Sequence, residues 1–86
     1  MPKRIFIIED DNMTIQILKY IFSIIGYEVI ISKDRLDAIE RIPEEKPDLV
    51  MTDILMPMKS GLEVIKFIKD NFTKTLVIAL SSLGEE

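Results

Sequence analysis

The sequence predicts an open α/β fold, a parallel sheet covered by helices on both faces, and three observations indicate it. Four short apolar runs, rich in β-branched residues and free of alternating polar positions, are typical of strands buried on both faces. Segments of helical period separate these runs. The order is strand and helix repeated three times and then a strand, which right-handed crossovers fold into a doubly wound sheet. The strands are predicted at residues 5–8, 29–31, 49–51 and 76–80.

The first predicted helix has an unusually wide apolar surface. At about 100° per residue its apolar positions cover an arc of roughly 200°, more than a helix needs to pack on a sheet alone. We therefore expect this helix to be buried against more than the sheet. Asn12 is the expected N-cap, and Gly26 stands where a helix would end in the left-handed conformation. The apolar positions are Met13, Ile15, Ile17, Leu18, Ile21, Phe22, Ile24 and Ile25.

The other two helices are predicted from shorter patterns. The second spans about residues 34–42, and Pro43 together with Pro47 is expected to end it. The third spans about residues 60–71, with apolar residues on one side and charged residues on the other. Since no linker, internal repeat or low-complexity tract interrupts the pattern, residues 1–86 are predicted to form a single domain.

The composition of the chain argues against several classes of function. The chain of 86 residues has a net charge of −4, and its basic residues are scattered among acids, so we expect no direct nucleic-acid binding by this segment. It contains no cysteine, which excludes disulfides and thiolate chemistry and is compatible with a reducing compartment. The apolar runs are far too short for a membrane span, and acids follow the first run too soon for a signal peptide. We expect a cytoplasmic protein with no membrane contact.

Acidic residues follow two of the predicted strands. Glu9 and Asp10 come directly after the first strand, and Asp53 lies at the end of the third. Ligands of such sheets bind outside the carboxyl ends of the strands, so these carboxylates meet in one crevice if the two strands are neighbours. Clustered carboxylates repel unless a cation holds them, and an all-oxygen site suits Mg²⁺. The backbone carbonyl of Leu55 is a further candidate ligand.

A carboxylate beside a divalent ion can also attack phosphorus. In that case Ser81, after the fourth strand, would offer a hydroxyl to a phosphoryl oxygen. Each acid taken alone is more often a turn former or helix cap. Asp11 is interpreted in that way, as an acid that stabilises the first turn of the helix beside the site. Acids after strands one and three, with a hydroxyl after strand four, jointly favour a site because all three fall on the same edge of the sheet.

Three segments together resemble the response regulator receiver domain of two-component signalling: "IFIIEDDN", "DLVMTDILMPMKSGLEVIKFIK" and "VIALSS". The resemblance implies a flavodoxin-like sheet of strand order 2-1-3-4 and a phosphorylation switch, not an enzyme, with a histidine kinase or phosphotransfer protein as donor. It implies that Asp53 is the phosphoacceptor and Ser81 the switch hydroxyl. It also implies that Glu9, Asp10, Asp53 and the Leu55 carbonyl bind Mg²⁺, while Pro57 and Gly61 fit the loop after the phosphoacceptor.

The sequence departs from the family at its end. The family continues through a further helix, a strand that ends in a lysine, and a last helix, whereas this chain stops at "SSLGEE". The lysine that contacts the phosphoryl group in the family can therefore not be assigned to a residue of this sequence. As a C-terminally truncated receiver, the chain would expose strand 76–80 and an apolar flank of its first helix, so we expect a homodimer or an exchange of elements between copies. The alternative is that these residues are one part of a longer protein, and the sequence does not separate the two.

Two other functions remain open at this point. The first is an interaction or dimerisation module with little or no phosphorylation, which the missing lysine favours. The second is a hydrolase with a strand-end aspartate, which ranks well below. A dehalogenase-type enzyme would need a second Asp two residues after the nucleophile, and position 55 is Leu. A nucleotide-binding loop would need a glycine-rich turn after the first strand, where "EDDN" stands.

Overall fold

Strands and helices alternate along the chain in the predicted order. The computed structural model describes residues 2–53, 62–72 and 74–80. Each predicted strand is confirmed, with bounds that differ by no more than two residues. The elements are β1 (Arg4–Ile8), α1 (Asn12–Ile24), β2 (Glu28–Ser32), α2 (Arg35–Glu45), β3 (Leu49–Asp53), α3 (Leu62–Asn71) and β4 (Leu76–Leu80).

The strands form one parallel sheet of order β2-β1-β3-β4. This confirms the doubly wound, flavodoxin-like topology. The chain order reverses between β1 and β3, which are hydrogen-bonded neighbours with Ile8 opposite Thr52. The gap beside the carboxyl ends of two such strands is where open α/β sheets bind ligands. The topology therefore brings the ends of β1 and β3 together, as the proposed acidic site requires.

Strand β1 is buried on both faces. Its side chains from Ile5 to Ile8 have no exposed surface, and they point alternately to the two sides of the sheet. Phe6 and Ile8 pack with residues of α2 and α3. Ile5 and Ile7 pack in a second cluster that includes residues of α1. The molecule thus has three layers, with α1 on one side of the sheet and α2 and α3 on the other.

The start of α1 differs from the prediction, and its end agrees with it. The N-cap is Asp11, not Asn12, because the Asp11 carboxylate accepts the Thr14 backbone N–H at 2.8 Å. Both residues are good caps, so the sequence pattern alone does not separate them. Gly26 has a φ of 97°. It follows the cap residue Ile25, and its N–H donates to the Ser23 carbonyl in a Schellman-type ending.

Helix α2 runs past the residue that was predicted to end it. Pro43 lies inside the helix, which continues to Glu45 and is capped by Lys46 in the left-handed conformation. The prediction was wrong because a proline removes one backbone hydrogen bond and does not prevent the turn that follows it. Helix α3 ends at Asn71 as expected, and the predicted start at residue 60 lies outside the described residues.

The wide apolar arc of α1 is only partly covered. Ile15 is buried, and Leu18 and Phe22 pack against the sheet. Most of the remaining apolar side chains of the helix are exposed, so the expectation of an apolar flank on α1 is confirmed, while burial against a second element is not found in the described residues. The exposed ones are Met13, Ile17, Tyr20, Ile21, Ile24 and Ile25. None of the described helices is long and apolar enough to cross a membrane.

The left-handed position after α1 gives a test of the fold. An alanine at Gly26 would meet no atom within 4 Å, so the cost of Gly26→Ala comes from the backbone conformation alone. We expect the free energy of unfolding to fall by about 1 kcal/mol. Urea denaturation measures it, with Ser23→Ala, an exposed change in the same helix, as control. An unchanged midpoint for Gly26→Ala would contradict the left-handed ending.

Candidate acidic site at the carboxyl edge of the sheet

The register of β1 and β3 sets the position of the acids. Ile8 stands opposite Thr52, and Glu9 and Asp53 are the next residues after them along the chain. Their backbones therefore reach the same level of the sheet, about one strand spacing of 4.8 Å apart. On the other side, Asp53 is paired with Leu80, the last residue of β4. The sheet thus places the end of β3 between the ends of β1 and β4.

Glu9 is a buried carboxylate. Its residue is only 4% exposed, and its Oε2 accepts the backbone N–H of Asp11 at 3.1 Å. Its own N–H donates to the Ser32 carbonyl at 3.0 Å, which extends the pairing of β1 with β2 beyond Ile8. Burial of an ionised carboxylate is unfavourable without compensating partners. A cation at this edge would be one such partner.

Asp10 and Asp11 differ in environment. Asp10 is exposed at the edge of the sheet. Asp11 is engaged as the α1 cap, where its Oδ2 accepts both the hydroxyl and the backbone N–H of Thr14. The Thr14 hydroxyl, followed by the Thr14 N–H, lowers the pKa of the Asp11 carboxyl below its ordinary value. The structural interpretation of Asp11 as an acid of the first turn is confirmed, because both acids are exposed but Asp11 is the one engaged as the cap.

Part of the predicted site lies outside the described residues. Asp53 is described by its backbone as the last residue of β3. Leu55 and Ser81 fall outside the described ranges, as do Pro57 and Gly61. A search of the described side chains finds no group of three acids, histidines or cysteines that could hold a metal. The predicted ligand set therefore rests on Glu9 and Asp10 together with the register that brings Asp53 beside them.

A polar network at the end of β2 adjoins the acids, and sequence reasoning missed it. The buried Ser32 hydroxyl donates to Asp37 Oδ2 at 2.6 Å, and Arg41 donates to the same oxygen at 3.1 Å. Asp34 caps α2 by accepting the Asp37 N–H. The signal in the sequence was the spacing of Asp34, Asp37 and Arg41, a cap followed by an i,i+4 ion pair.

A second contact ties β2 to the start of α1. The Lys33 ammonium donates to the Asn12 side-chain oxygen at 2.8 Å, just beyond the carboxyl end of β2. Asn12, predicted as a cap, instead makes this long-range link, which no local pattern reveals. An open cavity of about 470 Å³ lies nearby at the start of α2. Its described lining consists of Asp34, Arg35, Leu36, Asp37 and Glu40, so Glu9 and Asp10 are not part of it.

A parallel sheet with acids at the carboxyl ends of β1 and β3 is typical of a class of signalling domain, and comparison with known proteins identifies the family. The chain belongs to the response regulator receiver domains, since the model of that family matches residues 5–86. Receiver domains are signalling modules of two-component systems. The resemblance of the sequence to receiver domains is thereby confirmed.

Individual relatives agree with this assignment. The polar-differentiation response regulator DivK of Brucella anthropi is 38% identical over 71 residues, which cover 83% of this chain and 58% of DivK. The response regulator TrrA of Thermotoga maritima, crystallised in complex with Mg²⁺-BeF, superposes with a TM-score of 0.89 at 30% identity, over 96% of this chain and 72% of that one. A crystal structure of the histidine kinase ThkA in complex with TrrA also matches, with a TM-score of 0.85 at 31% identity over 93% and 69% of the two chains.

The network around Asp37 predicts a pH dependence of stability. Hydrogen bonds from Ser32 and then Arg41 lower the pKa of Asp37 below 3.8. Because the folded value lies below the unfolded one, the stabilisation is present above pH 3.8 and is lost as the pH falls through the folded value.

Asp37→Asn should therefore lower the free energy of unfolding at neutral pH, and the difference from wild type should shrink as the pH drops below 3.8. Urea melts at successive pH values measure it. The matched control is Glu40→Gln, which neutralises an exposed acid of the same helix. A difference between Asp37→Asn and wild type that stays constant through this range would exclude the assigned role.

Proposed function

We propose that this chain is a phosphoacceptor switch that takes a phosphoryl group from a histidine kinase or phosphotransfer protein onto Asp53. The observation that carries the proposal is the β1–β3 register, which sets Asp53 level with Glu9 at the switch point of a receiver fold. The similarity to TrrA, which has been crystallised with a histidine kinase, supports the choice of donor. The proposal includes a cytoplasmic location, where ATP-dependent kinases act, and no nucleic-acid contact by this segment.

Mg²⁺ fits the residues that this edge offers. Glu9 is a buried carboxylate and Asp10 an exposed one on consecutive positions, and Asp53 is the last residue of the neighbouring strand β3. A set of carboxylate oxygens with room for water suits this ion, which rarely enters a full protein cage. We propose that Glu9, Asp10, Asp53 and the Leu55 carbonyl hold it. When bound, the ion would neutralise negative charge on the incoming phosphoryl oxygens.

Asp53 and Ser81 then have separate roles in the transfer of the phosphoryl group. A carboxylate oxygen of Asp53 attacks the phosphorus of a phosphohistidine, forming a P–O bond while the P–N bond breaks. The bonding electrons leave with the imidazole nitrogen, which takes up a proton. The Ser81 hydroxyl donates a hydrogen bond to a phosphoryl oxygen on Asp53. The added charge and acceptor oxygens are the signal to which neighbouring segments respond.

A second candidate function is an association module with little or no phosphorylation. The observation that favours it is the row of exposed apolar side chains on α1, together with Leu76 and Ile78 on β4. Soluble monomers seldom leave so many large apolar side chains together on one surface. This function would not need Asp53, so the two candidates can be separated by variants of that residue.

Replacement of the phosphoacceptor is the most direct test of the first candidate. Incubation with Mg²⁺ and a small-molecule phosphodonor should add the mass of one phosphoryl group to the chain and none to Asp53→Asn, because the amide is a poor nucleophile of the same shape. Intact mass spectrometry measures it. Asp34→Asn, which keeps the cap of α2, is the matched control and should be labelled like wild type. Equal labelling of Asp53→Asn would remove that residue from its role.

Mg²⁺ affinity tests the ligand set independently of phosphorylation. Asp10→Asn should weaken binding at least about tenfold, or ~1.4 kcal/mol, because one ligand charge is lost. Titration followed by NMR of the backbone amides gives the dissociation constant. The control is again Asp34→Asn, which removes one negative charge elsewhere. If both variants bind Mg²⁺ like wild type, Asp10 is not a ligand.

A further inference from the structure

The turn between β1 and α1, which carries the acids, is held at both ends by the residues that end β2. Glu9, the first residue of the turn, donates its N–H to the Ser32 carbonyl at 3.0 Å. Asn12, the first residue of α1, accepts a hydrogen bond from the Lys33 ammonium at 2.8 Å. Ser32 and Lys33 are consecutive, so one short segment contacts the chain on both sides of Asp10. The position of the turn therefore depends on where that segment lies.

The end of β2 is fixed in turn by side chains of α2. Ser32 is only 2% exposed, and its hydroxyl donates to Asp37 Oδ2 at 2.6 Å and lies 3.0 Å from the Asp34 carbonyl. Arg41 donates to the same Asp37 oxygen at 3.1 Å and to the Ile31 carbonyl at 3.0 Å. The last two residues of β2 are thus both bonded to α2.

Arg41 is itself held from two further directions. Its guanidinium carbon lies 5.5 Å from the centre of the ring of Phe6, a buried residue of β1. Its Nη2 is 4.0 Å from Glu45 Oε2, and Glu45 Oε1 is 2.7 Å from Arg4 Nη2, at the start of β1. Helix α2 therefore contacts the sheet through polar groups at the carboxyl edge and at the amino edge, and these two sets of contacts can be removed separately.

Ser32 connects these contacts to the acidic site because it uses two different groups. Its hydroxyl bonds to α2, and its backbone carbonyl accepts the N–H of Glu9. The Glu9 carboxylate is buried, and its Oε2 accepts the N–H of Asp11 in the same turn. A buried carboxylate presents its oxygens in the direction that its backbone and hydrogen bonds set. Partners that orient a metal ligand in this way affect metal affinity without touching the ion.

We propose that Ser32 and Asp37 are positioning residues of the Mg²⁺ site. The bond between the Ser32 hydroxyl and Asp37 fixes the end of β2, the Ser32 carbonyl fixes the backbone of Glu9, and the Glu9 carboxylate is thereby held in place for the ion. The inference rests on the proposed function, which assigns Glu9 to Mg²⁺. Terminal hydrogen bonds of a strand pair open at little cost in free energy, so the end of β1–β2 needs such support.

Amide hydrogen exchange tests the positioning without any ion. The Glu9 N–H closes one end of the β1–β2 pair, and the Glu28 N–H, which donates to the Lys3 carbonyl at 2.8 Å, closes the other. Ser32→Ala should speed exchange at Glu9 about tenfold relative to exchange at Glu28, because a buried hydrogen bond beside Glu9 is lost. The ratio of the two rates, measured by NMR, removes any change in global unfolding.

A matched variant breaks the contact of α2 at the other edge of the sheet. Glu45→Gln weakens the ion pair with Arg4, so it destabilises the packing of α2 on β1 as Ser32→Ala does, but far from Glu9. It should not raise the ratio of exchange at Glu9 to exchange at Glu28. Asp37→Asn is a second variant of the positioning pair and should raise this ratio. Circular dichroism checks that each variant is folded.

Mg²⁺ affinity tests the consequence for the site. Ser32→Ala should weaken Mg²⁺ binding about tenfold without any change of charge, as expected for a residue that orients a metal ligand. Asp37→Asn should weaken it as well. Asp34→Asn removes the same charge near the same end of α2 and keeps the helix cap, so it should bind Mg²⁺ like wild type. Titrations followed by NMR of the backbone amides give the dissociation constants.

The two measurements separate failure of this inference from failure of the proposed function. An unchanged exchange ratio in both Ser32→Ala and Asp37→Asn would overturn the positioning role. So would a raised ratio in Ser32→Ala with Mg²⁺ affinity equal to that of wild type. A wild-type chain that binds no Mg²⁺ would instead overturn the ion site of the proposed function, and a raised exchange ratio would then still show that Ser32 orients Glu9.

Discussion

The burial of β1 on both faces is the constraint on which the rest of the structure depends. Four consecutive side chains of this strand are fully buried, and each contributes about 1.5–3 kcal/mol relative to an exposed position. A shift of register by one residue would exchange these side chains between the two sides of the sheet, so that Phe6 and Ile8 would meet the packing that fits Ile5 and Ile7. The central position of β1 and its pairing with β3 are therefore fixed by packing. The position of the acids follows, because they are the first residues after the buried run.

This arrangement separates the residues that hold the fold from those available for chemistry. Asp11 and Asp34 cap helices, and Asp37 is held by Ser32 and Arg41. Asp10 at the end of β1 is exposed to solvent, beside the buried carboxylate of Glu9. Carboxylates brought together at one edge repel each other, and a divalent cation relieves that repulsion. The helix caps and the Asp37 network thus stabilise the elements beside the carboxyl ends of β1 and β3, where we propose that Mg²⁺ binds and a phosphoryl group is accepted.

Much of the fold could be predicted from the sequence because strands buried on both faces have a clear signature. The order of the strands and the end of β1 followed from four apolar runs and from a known family pattern, whereas β3 runs two residues past its predicted end at residue 51. Helix ends were harder to predict. Asp11 and Asn12 are equally good caps, and only the contacts of each side chain distinguish them. Pro43 is tolerated inside α2 because it removes one backbone hydrogen bond and does not prevent the turn that follows it. The link between Lys33 and Asn12 joins residues far apart in the chain, so no local pattern could reveal it.

The central claim is that the carboxyl edge of β1 and β3 is the site that binds the ion and the phosphoryl group. A crystal structure of this chain with Mg²⁺ and beryllofluoride, a phosphoryl mimic, tests it most directly. The account predicts the mimic on the Asp53 carboxylate, and one ion within coordination distance of it and of the acids after β1. An ion at the acids that line the α2 cavity, Asp34, Asp37 and Glu40, with none at Asp53, would contradict the account.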